Sequence, residues 1–123
     1  MEMTNGSGPG AIYLGNDQTA FCVWAPLAKQ LAVHLLGPDE RTVPVEPAGK
    51  GYYAATLEGV RPGQRYFYRI DDDRERPDPA SRYQPDGVHG PSQVIGTDFD
   101  WEDTGWPGLF LVDYIIYELH TGT

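Results

Sequence analysis

Up to Ile70 the apolar residues recur with a period of two, in short segments cut off by glycine, proline and aspartate. Thr19 to Trp24 sets Phe21 and Val23 against Cys22 and Trp24, and Pro26 ends the run. Leu31, Val33 and Leu35 share one face, with Ala32, His34 and Leu36 opposite. Tyr52 to Leu57 and Tyr66 to Ile70 repeat the alternation. Ala11 to Gly15 and Thr42 to Val45 carry it more weakly, and Pro44 demotes the second to an edge strand. A period of two belongs to strands whose alternate side chains meet a core. Short strands at this spacing, with turn residues between them, predict an antiparallel sandwich or barrel. No capped amphipathic helix pattern interrupts them.

One local pattern narrows the choice. The run from Leu57 to Tyr66 leaves a strand, turns at Pro62-Gly63 and sets a tyrosine at the start of the next strand. That is the pattern of a tyrosine corner, whose buried phenol bonds the backbone a few residues upstream. The plainer reading makes Tyr66 a core aromatic. With the corner, the expected fold is all-β, an immunoglobulin-like antiparallel β-sandwich. Cys22 is the single cysteine, so no internal disulfide supports it.

Beyond Ile70 the periodicity stops. Residues 76–93 contain Pro77, Pro79, Pro85 and Pro91 with Gly87 and Gly90, which fits neither helix nor strand. Tyr83, Val88 and His89 offer anchors, so an ordered strap is expected rather than a disordered linker. It is as ready to rest on something outside its own domain as on the sandwich. Farther on, Leu109 to Leu119 is nearly continuously apolar around Glu118, as in a strand buried on both faces of a parallel sheet. The expected division is a frayed 1–10, a core at 11–75 in a domain reaching about 98, and a linker with one strand at 99–123.

The net charge of −9 opposes phosphate backbones and anionic lipid, so neither nucleic acid nor membrane is an expected partner. No charged-then-apolar leader opens the sequence, and cytoplasm is the expected location. His34, His89 and His120 lie far apart without a second ligand at zinc spacing. Gly6 to Gly10 lacks the ending of a phosphate loop. Glu118 stands in an apolar run and reads either as a general acid or, more simply, as a strand-end glutamate. No catalytic, cofactor or metal residue is therefore assigned. Trp24, Tyr52, Tyr53, Trp101 and Trp106 are candidates for stacking on sugars, against the commoner core or interface role.

The strap also carries a resemblance. The stretch from Asp78 to Ser92 resembles the linker after the N-terminal domain of the maltooligosyltrehalose trehalohydrolases, in glycoside hydrolase family 13 of the α-amylase superfamily. Phe21-Cys22-Val23-Trp24-Ala25-Pro26 and the terminal Ile116-Tyr117-Glu118-Leu119-His120-Thr121-Gly122-Thr123 agree, but these two also look like branching and debranching enzymes. The resemblance implies an early-set immunoglobulin-like accessory domain, followed by the first strand of a truncated (β/α)8 barrel. It implies a parent that hydrolyses an α-1,4-glucosidic linkage to release trehalose, with catalytic carboxylates on later barrel strands that this sequence does not contain. The partners would be that barrel and, through it, an α-glucan or maltooligosyltrehalose. Residues expected to meet the barrel or shape its cleft are Trp24, Asp78, Arg82, Gln84, Asp86, His89, Trp101, Trp106, Glu118 and His120. Left uncovered, 109–119 is expected either to self-associate or to stay disordered, with association the preferred outcome. The rival is a freestanding α-glucan-binding module, or the same domain of a branching or debranching enzyme. Gly37-Pro38-Asp39-Glu40 weakens it, since glycogen-binding relatives carry a tryptophan there.

Overall fold

The computed structural model describes residues 8–122. Its strands are β1 (Gly10–Gly15), β2 (Gln18–Trp24), β3 (Leu31–Leu35), β4 (Arg41–Gly49), β5 (Tyr52–Glu58), β6 (Arg65–Ile70), β7 (Arg74–Arg76) and β8 (Ser92–Gln93). They lie in the order β1-β2-β5-β4-β3-β6-β7, with β8 on β6, and every pairing is antiparallel. The sheet curls on itself to make the expected sandwich. Gly10 already belongs to β1, while the first residues of the expected frayed stretch lie outside the described ones.

Strand β4 makes the curl. Arg41 to Val45 pairs with β3, and Glu46 to Gly49 then pairs with β5. Pro44 and Pro47 both sit in this strand. Each half is paired on one flank, so a residue without an N–H need cost no ladder bond. Pro44 was expected to mark a sheet edge. It marks instead the strand that crosses from one layer to the other.

The core follows the alternation. Phe21 and Val23 from β2 and Leu57 from β5 face Leu31, Val33 and Leu35 from β3 and Tyr66 and Tyr68 from β6. Val60 and Val94 close one end. Tyr66 meets Phe21 edge-on at 5.0 Å between ring centroids and Tyr68 edge-on at 5.9 Å, the favoured geometry for paired quadrupoles.

The tyrosine corner is not formed. The Tyr66 hydroxyl donates to Asp78 Oδ2 at 2.6 Å rather than to upstream backbone. A buried carboxylate is a stronger acceptor than a carbonyl, and the strap delivers one to the phenol. No pattern local to Tyr66 could show it.

The expected strand at 109–119 is not formed either. Leu111–Asp113 is a short 3₁₀ turn, and the flanking residues pair with nothing among the described ones. Ile115 is 97% exposed. A strand apolar on both faces needs neighbours on both sides, and the sandwich supplies none.

On β3, His34 is buried with a carboxylate at each ring nitrogen. Nε2 lies 2.5 Å from Glu40 Oε1, and Nδ1 contacts Glu75 of β7, which Arg69 also approaches at 3.7 Å. Burial alone would lower the imidazole pKa, but the two carboxylates outweigh it and the net direction is upward. A folded pKa above the unfolded one stabilises fully below the unfolded value, and that contribution is lost as pH rises through the folded value. The denaturant midpoint should therefore fall as pH rises above the ordinary imidazole range, and His34→Gln should flatten that slope. An unchanged slope in the variant would mean that His34 is not the group responsible.

Candidate functional site

The strap folds onto its own sandwich. Asp78, only 3% exposed, accepts from Tyr66 and, at 2.8 Å, from the Ala80 N–H, while its own N–H donates to Ser92 Oγ at 2.9 Å. Ser92 opens β8, which pairs with β6, so both ends of the strap are stitched to one strand. Burial pushes the Asp78 carboxyl upward despite these donors. It pushes the Tyr66 phenol far upward, helped by the Asp78 charge. Arg65 pairs with Asp86 at 2.8 Å, and the Gln84 amide donates to the carbonyls of Val88 and Gly90. Arg82 reaches Ala11 O at 3.5 Å over Gly10, where an added Cβ would lie 2.3 Å from the guanidinium.

Of the residues expected to face a barrel, Asp78, Arg82 and Asp86 thus hold the strap to this domain, and Gln84 braces the strap's own turn. His89 is exposed at the strap's turn. Phe99 and Trp101 stack edge-on at 4.6 Å, and both are exposed, as are Trp106, Glu118 and His120. The His120 Nδ1 accepts from Gly122 N–H. No one place brings these tail residues together with the strap among the described contacts.

Trp24 is different. It ends β2 with its indole 58% exposed, yet the ring is held. Its Nε1–H donates to Lys50 O at 3.2 Å, and Ala25 N–H donates to Gly51 O at 2.8 Å. Gly51 has φ +85°, and a Cβ there would sit 2.9 Å from Trp24 Nε1 and 2.9 Å from Pro26 Cβ. The β4–β5 turn therefore needs glycine on both counts. Beside the indole lies a dish of about 490 Å³ lined by Trp24, Pro26, Leu27, Ile70 and Arg74. Leu27 is 94% exposed. Sequence reasoning found Trp24 but not Leu27, Ile70 or Arg74. The consecutive Trp24-Ala25-Pro26-Leu27 was a signal, whereas the arrival of Ile70 and Arg74 from the β6–β7 hairpin was not.

Residues 9–86 match the family model of carbohydrate-binding module 48, the isoamylase N-terminal domain. Over 110 residues, 89% of this chain, it is 44% identical to the malto-oligosyltrehalose trehalohydrolase of Saccharolobus solfataricus, 19% of which is covered. The corresponding enzyme of Deinococcus radiodurans is 40% identical over 111 residues, 89% of this chain and 18% of that one. The chain thus spans about a fifth of the length of these relatives. A solved structure assigned as an alpha amylase, from Salmonella typhimurium, superposes with a TM-score of 0.77 at 34% identity. It covers 94% of this chain and 19% of that one. A curled all-β module ending in a stitched strap, matched along its length by these proteins, has one classification. The chain belongs to the carbohydrate-binding module 48 family, in the form that malto-oligosyltrehalose trehalohydrolases and related glycoside hydrolase family 13 enzymes carry as their N-terminal domain.

Proposed function

We propose that this chain is the non-catalytic accessory module of a malto-oligosyltrehalose trehalohydrolase, docking on a catalytic barrel and shaping one side of its substrate cleft. One observation carries the reading: the 110-residue likeness to a trehalohydrolase is longer than the stretch from 9 to 86 that the module model covers. The likeness therefore takes in strap or tail sequence as well as the sandwich. Glycosidic cleavage needs two carboxyl groups across the scissile bond. Asp78, the one buried carboxylate among the described residues, is engaged by Tyr66 and Ala80 and serves the fold.

In the parent enzyme the tail at 109–119 would be covered by neighbouring barrel elements, with Trp101 and Trp106 at the crossing. In its absence the same surface drives association between copies of this chain.

A chimera tests the reading. The N-terminal domain of the Saccharolobus relative is replaced by this chain, fused to that enzyme's barrel. Trehalose release from maltooligosyltrehalose is expected from the chimera and not from this chain alone. Release by the purified chain, or a soluble chimera that binds substrate but releases none, would overturn it.

A further inference from the structure

We propose that His34 is a proton-operated latch on the β3–β4 loop. Protonated, it ties Glu40 to Glu75 across the face of β3 that points away from the core; on losing its proton it keeps Glu75 and lets Glu40 go. The arrangement of acceptors carries this. Both ring nitrogens face carboxylate oxygens, Nε2 at 2.5 Å from Glu40 Oε1 and Nδ1 against Glu75 Oε2. Carboxylates only accept, and a neutral imidazole has one N–H and one lone pair. The imidazolium alone satisfies both contacts, and a neutral ring must set its lone pair against one of them. Exposure decides which one yields. The Glu40 side chain is 61% exposed and that of Glu75 35%, so Glu40 turns into water at less cost. Arg69 of β6, at 3.7 Å, also holds the Glu75 carboxylate in place. The remaining N–H therefore stays on Nδ1.

The surrounding charges leave the ring to these two acids. Burial works against the imidazolium, but the carboxylates outweigh it and hold the proton beyond the ordinary imidazole range. Opposite His34, β4 and β6 set Thr42 and Phe67, which carry no charge. Arg41 of β4 donates to Glu58 O, and on β7 Arg74 donates to Asp73 and Arg76 to the backbone of Glu75. Asp39, the other acid of the loop, is exposed.

The segment that responds is short and bounded. Leu36 N–H donates to Arg65 O at 3.0 Å, Leu36 O accepts from Gln64 Nε2 at 2.6 Å, and Arg41 resumes the ladder opposite Leu35. Between these clamps Gly37 stands at φ +116°, a hinge that glycine adopts freely. Glu40 is the side chain that ties 37–40 to the sheet among the described residues. Gly37 and Pro38 line a groove of about 450 Å³ together with Arg61 and Pro62. Beside that groove the chain leaves the sandwich, where Gly63 N–H donates to Val94 O at 2.8 Å and Val94 N–H to Gln64 O at 2.9 Å. The proton on His34 thus sets the shape of that end of the module, independently of the accessory reading.

The test is long-range proton–nitrogen NMR of the histidine rings of the whole chain, with backbone amides followed in parallel. The pH series runs from just above the carboxylate range to well above the imidazole range, and His34→Gln identifies the His34 signals. At its low end both His34 nitrogens should read as protonated. At its high end Nδ1 should stay protonated and Nε2 should be bare. The amides of Gly37, Asp39 and Glu40 should shift along the same titration while those of Arg74–Arg76 hold still. Glu40→Gln is the decisive variant, since an exposed position leaves the fold intact. Glutamine accepts from the imidazolium and donates to the bare Nε2, so the loop amides should lose their pH response and the ring should titrate at lower pH. Glu75→Gln should invert the high-pH tautomer, because its amide can donate to Nδ1. A wild-type ring protonated on Nε2 at high pH, or β7 amides that titrate in place of the loop, would overturn the latch. So would a ring that does not titrate in the series, or a loop response that survives Glu40→Gln.

Discussion

Asp78→Ala should lower the stability of the domain by about 2–4 kcal/mol and free the strap, the largest single-residue effect expected here. The substitution strands the Tyr66 hydroxyl in the core, beside a Tyr68 hydroxyl that already lacks a hydrogen-bond partner among the described residues. It also removes the acceptor for Ala80 N–H, which sets the first turn of the strap. For a domain of this size the melting temperature should drop by roughly 10–20 °C. Proteolysis should then cut between Pro79 and Gly90. The bond from Asp78 N–H to Ser92 survives the change, so the strap loosens rather than leaves altogether.

Asp78→Asn separates hydrogen bonding from charge. An amide oxygen can still accept from Tyr66, and no charge is buried, but the amide nitrogen then faces the Ala80 N–H in place of Oδ1, so this variant should melt between the wild type and Asp78→Ala. The pH trend has a definite sign. Because burial raises the folded pKa of Asp78, its contribution is fully present below the unfolded value and is lost as pH rises through the folded one. The comparison should therefore move in favour of the asparagine variant as pH rises. If Asp78→Ala melts within roughly 2 °C of the wild type, the strap is anchored elsewhere.

The tail carries the second large effect. The full chain is expected to self-associate, and a chain ending at Gly108 is expected to be a monomer. Leu109, Phe110, Leu111, Val112, Tyr114, Ile115, Ile116 and Tyr117 are all exposed. Each is worth roughly 1.5–3 kcal/mol when fully buried. Recovering about 1 kcal/mol from each approaches the roughly −8 kcal/mol of a micromolar complex, before the costs of ordering. The extended backbone around Leu111–Asp113 also keeps unpaired groups that could form a ladder with a second copy. The net charge of −9 works against this, so association should strengthen with salt. Sedimentation of the full chain and the shortened one, over a range of concentration and salt, decides it. Two monomers throughout, with slow amide exchange in the tail of the full chain, would show the tail docked on its own domain instead.

Much of the architecture was legible because it rests on short-range chemistry. Alternation at Phe21 and Val23, at Leu31, Val33 and Leu35, and at Tyr66 and Tyr68 named the core directly. A pleated strand sends every second side chain the same way, whatever its partners. The acidic balance and the proline-rich strap were equally plain in the residues. So was the likeness to trehalohydrolases, which the matches over most of the chain uphold.

Tertiary structure decided whatever depends on who stands opposite whom. Pro44 was read as an edge because a missing N–H is local. That its strand changes partners halfway is a property of the whole sheet. The Tyr66 phenol was expected to turn upstream, but its acceptor is Asp78, brought back by a strap whose path nothing near Tyr66 encodes. His34 looked isolated at metal-ligand spacing, and folding set Glu40 and Glu75 on its two nitrogens. The apolar run at 109–119 announced burial without naming its cover, because a hydrophobic pattern specifies a need and not a partner. Trp24 was marked by its own sequence, whereas the dish beside it exists because the β6–β7 hairpin carries Ile70 and Arg74 to the same end of the sandwich.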